Sequence, residues 1–132
     1  IEVDCLNGSP GIYSARFAGI NATDKDNLNK LISEIKAVDQ LERTARFQCV
    51  IVYMRHAKDP TPLICQANWE GLLLDHPLGK FGFGYDPIFY CPVSKKTAAQ
   101  MTMEEKAQIS HRGKALALFQ QAFKQSVNYT DI

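Results

Sequence analysis

Apolar positions change their period several times along this chain, and each change predicts an element. Ile1, Val3 and Cys5 alternate with Glu2, Asp4 and Leu6 in the manner of a strand over residues 1–6. Asn7-Gly8-Ser9-Pro10-Gly11 then gathers turn residues, and a loop runs on toward Gly19. Leu28, Leu31, Ile32, Ile35 and Val38 recur at helical spacing behind acidic residues, with Thr23 or Asp24 as the N-cap, so a helix is predicted over residues 24–37. Residues 47–54, Phe-Gln-Cys-Val-Ile-Val-Tyr-Met, form a β-rich apolar run of the kind buried on both faces of a sheet. Residues 63–65 and 71–74 offer two shorter strands, with Asp59-Pro60-Thr61-Pro62 as the turn before them.

Beyond the glycines of residues 79–84, Tyr85-Asp86-Pro87-Ile88-Phe89-Tyr90 reads as extended, because a proline pushes its predecessor out of the helical region. Thr102-Met103-Glu104-Glu105 has the form of a capping box opening a short helix. A last helix is predicted over residues 111–125, with Ala115, Leu116, Phe119, Ala122 and Phe123 on one face. Helices interspersed with strands, without an internal repeat or linker, predict one α/β or α+β domain.

Composition narrows the class. The chain has 132 residues, 15 basic and 14 acidic, for a formal charge of +1, which argues against a basic nucleic-acid arm or a polybasic membrane patch. With 45% hydrophobic and 22% charged residues it has the composition of a soluble globular domain, large enough to bury a core without staples. No apolar run approaches the roughly 20 residues that cross a bilayer. Cys5, Cys49, Cys65 and Cys91 contain no C-x-x-C pair, which fits small core side chains in a reducing cytoplasm. The chain opens on Ile rather than Met, directly in a strand pattern, as if it began in the middle of a larger unit.

Two segments could carry chemistry. Gly79-Lys80-Phe81-Gly82-Phe83-Gly84-Tyr85-Asp86-Pro87 is glycine-rich, but Phe81 follows the lysine and Pro87 blocks a helix start, so it is not a phosphate-binding P-loop. Glycines beside Phe83 and Tyr85 would let a flat ligand approach the backbone and lie on an aromatic face. The competing reading is a hairpin whose aromatics fill the core. Ser110-His111-Arg112-Gly113-Lys114 sets three basic side chains at a helix start, where cations are unfavourable by roughly 0.3 to 1 kcal/mol each. Such local violations concentrate at functional sites, and Lys106, one turn earlier, could add a donor; a solvated basic turn is the alternative. His56 and His76 have no companions at metal-ligand spacing, Trp69 reads as a packing anchor, and Glu2 and Asp4 could line a cleft.

Taken together, Ser9-Pro10-Gly11-Ile12-Tyr13-Ser14-Ala15-Arg16-Phe17, Phe83-Gly84-Tyr85-Asp86-Pro87-Ile88-Phe89 and Ser110-His111-Arg112-Gly113-Lys114-Ala115-Leu116 strongly resemble the inosine triphosphate pyrophosphatase family. The resemblance covers essentially the whole chain. It implies an elongated, two-lobed α/β fold around a mixed sheet, a cytoplasmic homodimer, and Mg²⁺-dependent hydrolysis of ITP, dITP and XTP to the monophosphate and pyrophosphate, with neither a polymeric nucleic acid nor a membrane as partner. Carried over by motif, Phe83 would stack on the purine, Gly84, Tyr85 and Asp86 would shape its pocket, and Lys106, His111 and Arg112 would contact the base.

The family's triphosphate loop and its acidic, metal-holding segment do not match any part of this sequence. Residues 1–132 would therefore be the C-terminal two-thirds of a single pyrophosphatase domain, with the catalytic and metal-binding residues upstream of Ile1. On that reading the chain should expose unpaired strand edges, beside residues 1–6 among them, and apolar surface where the upstream piece belongs. A purine-binding or inactive module is the alternative, and a pyrophosphatase for modified pyrimidines would leave the Ser-His-Arg segment unexplained.

Overall fold

A computed structural model describes residues 1–128. Five strands, β1 (Glu2–Val3), β2 (Thr44–Tyr53), β3 (Leu63–Leu73), β4 (Phe89–Cys91) and β5 (Lys96–Thr97), form one sheet in that order, every neighbour antiparallel. Three α-helices, α1 (Asp24–Ile35), α2 (Met103–Ile109) and α3 (His111–Asn128), accompany it, with α3 lying across β2 and β3. The class is α/β in the broad sense; a parallel pair, which a mixed sheet needs, does not occur among the described residues.

The opening strand is shorter than its alternation predicts. Asp4–Leu6 curls into a 3₁₀ turn closed by Asn7 in the left-handed region, and Gly8 N donates to the Val3 carbonyl. The returning chain covers β1's outer edge, with Val3 N bonded to Ser9 O at 3.1 Å and Gly11 N to Ile1 O at 2.8 Å. The edge of β1 is thus closed by the chain's own loop, whereas β2 beyond Arg46 pairs with β3 alone among the described residues. Asp4 accepts hydrogen bonds from Thr44 Oγ1 (2.6 Å) and both terminal nitrogens of Arg46 (2.9 Å each).

Helix α1 begins where the capping signal placed it. The Thr23 hydroxyl accepts from Asp26 N at 3.1 Å while the Asp26 carboxylate accepts from Thr23 N at 2.9 Å. Leu31 and Ile35 are fully buried, and buried Asn27 ties the helix to the preceding loop by accepting from Ala18 N and donating to Ala15 O.

Residues 63–74 do not make two strands. Ten consecutive pairs, from Thr44↔Leu72 to Tyr53↔Leu63, make β2 and β3 one long ribbon. Asn68 and Glu70 interrupt the apolar run because they point outward on either side of buried Trp69, and Glu70 accepts from Arg46 across the ribbon at 2.8 Å. Nor is β2 buried on both faces: Val50 and Val52 are each 54% exposed, because α3 packs on the opposite face, where Phe47 points.

Pro87 enters a 3₁₀ turn (Asp86–Ile88) before β4 rather than an extended segment; its fixed φ suits a first helical turn as well as a strand. The Thr102–Glu105 capping box is present as predicted. On α3, Ala115 is buried and Phe119 and Phe123 pack edge-on to Tyr53, but Leu116 is 50% exposed and lies off that face. Cys65 and Cys91 are buried, Cys5 and Cys49 half-buried, and all four are free thiols. No helix among the described residues is long and apolar enough to cross a membrane.

Candidate functional site

The glycine-rich loop folds back on a single carboxylate. Asp86 Oδ2 accepts from Phe83 N at 3.1 Å and from Lys106 Nζ at 2.7 Å, and the Asp86 side chain is only 8% exposed. Gly82 makes this possible: its φ is +77°, and a Cβ there would collide with Asp86 Oδ2. Two further contacts hold the loop. Gly84 N donates to Asp24 Oδ2 at 3.3 Å, and the Tyr85 hydroxyl donates to the Ser14 carbonyl at 2.7 Å. Tyr85 is buried, which together with the nearby Asp24 charge pushes its phenol up to about 12.

Phe83 points the other way. Its ring is 64% exposed, with Lys106 Nζ 5.7 Å from the centroid. Of the two readings of the glycine loop, the aromatic core applies to Tyr85 and the open platform to Phe83. Beside the platform a groove of about 300 Å³ runs between the loop and the start of α1, lined by Asp24, Lys25, Leu28, Phe81, Phe83 and Pro87.

The second cluster sits at the α2–α3 junction. Ser110 is extended between the two helices, and its Oγ accepts from Gly113 N at 3.0 Å, capping α3. Gly113 leaves no room for a side chain, since a Cβ would press on the Ala107 carbonyl. The His111 ring lies parallel to Phe47, 4.7 Å between centroids and 14° between planes, with Trp69 behind at 6.3 Å. Its Nδ1 is buried without a hydrogen-bond partner among the described residues. Burial holds the imidazole pKa down at about 4; the Arg112 and Lys106 charges push the same way, and Asp86 opposes them. His111 is therefore neutral at physiological pH. Arg112 is exposed in the next position and makes no ion pair among the described residues.

The fold thus joins Phe83, Asp86 and Lys106 through direct contacts, and sets His111 where both charges of the Asp86–Lys106 pair reach it. Gly84 and Tyr85 support the loop from behind. Asp24, Ser14 and Phe47 were not singled out as site residues in the sequence. Asp24 reads there as an alternative to Thr23 for the helix cap, which Thr23 takes, and Phe47 reads as one more apolar strand residue. Among the described residues the side-chain hydrogen bonds of His56 and His76 stay within their own loops, with Lys58 N and Asp75. Among the described residues no three His, Cys, Asp or Glu side chains are grouped so as to hold a metal ion.

A profile of the Ham1 family matches residues 1–122. The chain is 55% identical over 124 residues to the dITP/XTP pyrophosphatase of Escherichia coli (strain K12), covering 94% of this chain and 63% of that protein. It superposes on a HAM1 protein from Coxiella burnetii with a TM-score of 0.89 at 45% identity, and on the Staphylococcus aureus Ham1 protein at 0.87 and 42%. These cover 94% and 95% of this chain and 63% of each of those chains. The chain therefore spans about 63% of the length of the curated relatives it matches. The three motifs, the fold and these likenesses agree: the chain belongs to the Ham1 family.

Proposed function

We propose that residues 1–132 are the C-terminal two-thirds of one pyrophosphatase domain, and that they carry its base-recognition half. The whole protein hydrolyses non-standard purine nucleoside triphosphates, ITP, dITP and XTP, to the monophosphate and pyrophosphate. The observation that carries this reading is the exposed Phe83 ring with a lysine held over it by a buried carboxylate. An aromatic face in water next to a fixed hydrogen-bond donor suits a purine, which stacks by its plane and is identified by its rim.

Lys106 and Arg112 are donor-only groups. Hypoxanthine and xanthine have a carbonyl oxygen at C6 and accept from them, whereas adenine has an amino group there and leaves the donors unpaired. His111, neutral and clamped on Phe47, adds a polar group to the same rim without adding charge. Gly84, Tyr85 and Asp86 hold the loop in the shape that presents Phe83.

Among the described residues no three His, Cys, Asp or Glu side chains gather into a metal site, and the Mg²⁺ that the resemblance implies would be held by the acidic segment expected upstream of Ile1. A cytoplasmic homodimer that keeps the nucleotide pool clean completes the reading. The relative from E. coli that carries the name dITP/XTP pyrophosphatase supports it. The test is to give the full protein dITP and Mg²⁺ and follow the products. One pyrophosphate per dIMP is expected, with ATP turned over far more slowly. Release of single phosphates, or equal rates with ATP, would overturn it.

A further inference from the structure

A nucleoside triphosphate is long, and its base and its phosphates lie at opposite ends. An enzyme that grips the base on one element and attacks a phosphate from another must hold the two elements at a fixed separation, since a misplacement of about 1 Å can cost roughly 100-fold in rate. Phe83 stands on the glycine loop, whereas the phosphate and metal chemistry is placed upstream of Ile1, on the chain that leads into β1. One residue outside the glycine loop touches both ends of that span.

Ser14 lies in the 3₁₀ turn Gly11–Arg16. Its carbonyl accepts from the Tyr85 hydroxyl at 2.7 Å, across 71 residues of sequence. Its own hydroxyl accepts from the Ile1 nitrogen at 3.0 Å and donates to the Gly11 carbonyl at 2.6 Å. In the whole protein the Ile1 nitrogen is a peptide N–H, which still has one proton to give. Gly11 N donates to Ile1 O at 2.8 Å, so the turn holds Ile1 on both sides of its backbone, and Ser14 holds the side from which the upstream chain leaves. Neither Ser14 bond shapes the face that Phe83 presents, because Asp86 and Asp24 bind Phe83 N and Gly84 N independently. Tyr85 is buried, and its hydroxyl stays protonated at physiological pH. The geometry points to Ser14 and Tyr85 as positioning residues for the hydrolysis: two hydrogen bonds in series set the glycine loop at a fixed distance from the segment that enters at Ile1.

This inference rests on the function proposed above, and the experiment separates the two. In the full protein, kcat and KM for dITP with Mg²⁺, IMP binding by calorimetry without metal, and thermal melting are measured for the native protein, Tyr85→Phe, Ser14→Ala, Ser14→Thr and the double variant Tyr85→Phe/Ser14→Ala. Tyr85→Phe keeps the ring and removes only the hydroxyl. It and Ser14→Ala are each expected to lower kcat about 2- to 10-fold, the factor one neutral hydrogen bond is worth. IMP affinity should not change, since Asp86 and Asp24 still hold the loop. Ser14→Thr, which keeps a hydroxyl, should recover most of the kcat. Because the bonds act in series, the double variant should lose no more than the larger single loss. If Tyr85→Phe does not fold, Ser14→Ala and Ser14→Thr read the other bond of the same series. An unchanged kcat in the folded single variants overturns the inference, whether or not Tm falls, since the bonds would then serve the fold alone. Losses that multiply in the double variant overturn it as well, as does a loss of IMP affinity in place of kcat. A native protein that releases no pyrophosphate from dITP overturns the proposed function, and this inference with it.

Discussion

Phe83→Ala separates a ligand platform from a core residue, because the two roles predict opposite patterns in two measurements. The ring is 64% exposed, so truncation removes little buried apolar surface. Lys106 Nζ at 5.7 Å from the centroid sits near the outer limit of a cation–π contact, worth about 0.5 kcal/mol at an exposed site. Folding stability should therefore change by no more than about 0.5 kcal/mol, or roughly 2 °C in Tm for a domain of this size. Binding should suffer far more. Loss of one base–aromatic stack costs about 1 to 3 kcal/mol, which is roughly a 5- to 150-fold rise in KM for dITP in the full protein. Phe83→Tyr should recover most of the loss. Steady-state kinetics with dITP and a thermal melt of the same samples decide it. An unchanged KM would refute the platform, and a fall of about 8 °C or more would put Phe83 among the residues that hold the fold.

Three further outcomes follow from the geometry. Burial lowers the His111 pKa to about 4 against an ordinary 6.5, so its contribution to stability is complete above pH 6.5 and is lost as pH falls toward 4. NMR titration of the ring should show no inflection between pH 5.5 and 8, and one near 6.5 would contradict the stacked, buried imidazole. Arg112→Ala should lower kcat/KM for ITP much more than for ATP, narrowing the preference; equal losses would place Arg112 at the phosphates or in a structural role. Gly113→Ala should destabilise by about 1 to 3 kcal/mol, since the new methyl presses on the Ala107 carbonyl. Alanine is the better helix former by about 1 kcal/mol, so an unchanged or raised Tm would show that the α2–α3 junction yields.

What the sequence determined by itself was local. Capping boxes at Thr102 and helical spacing from Leu28 to Ile35 specify helices, because their signals lie within one turn of the residues they organise. The three motifs identified the family and the candidate residues in the same way, as short runs of fixed order. Strand extents were not legible to the same degree. Asn68 and Glu70 look like a break until β2 lies alongside and turns them into the outward half of one alternation, and Ile1 to Leu6 look like a strand until Asn7 and Gly8 fold the chain back on its own edge. Tertiary structure alone decided which aromatic of the glycine loop is buried and which is open. Tyr85 reaches 71 residues back to Ser14, and Gly84 reaches 60 back to Asp24. It also decided that Phe47 carries the His111 ring and that Asp86 spends its oxygen on Lys106. Contacts between residues so far apart in the chain leave no periodic trace, because they depend on how elements dock and not on how each one forms.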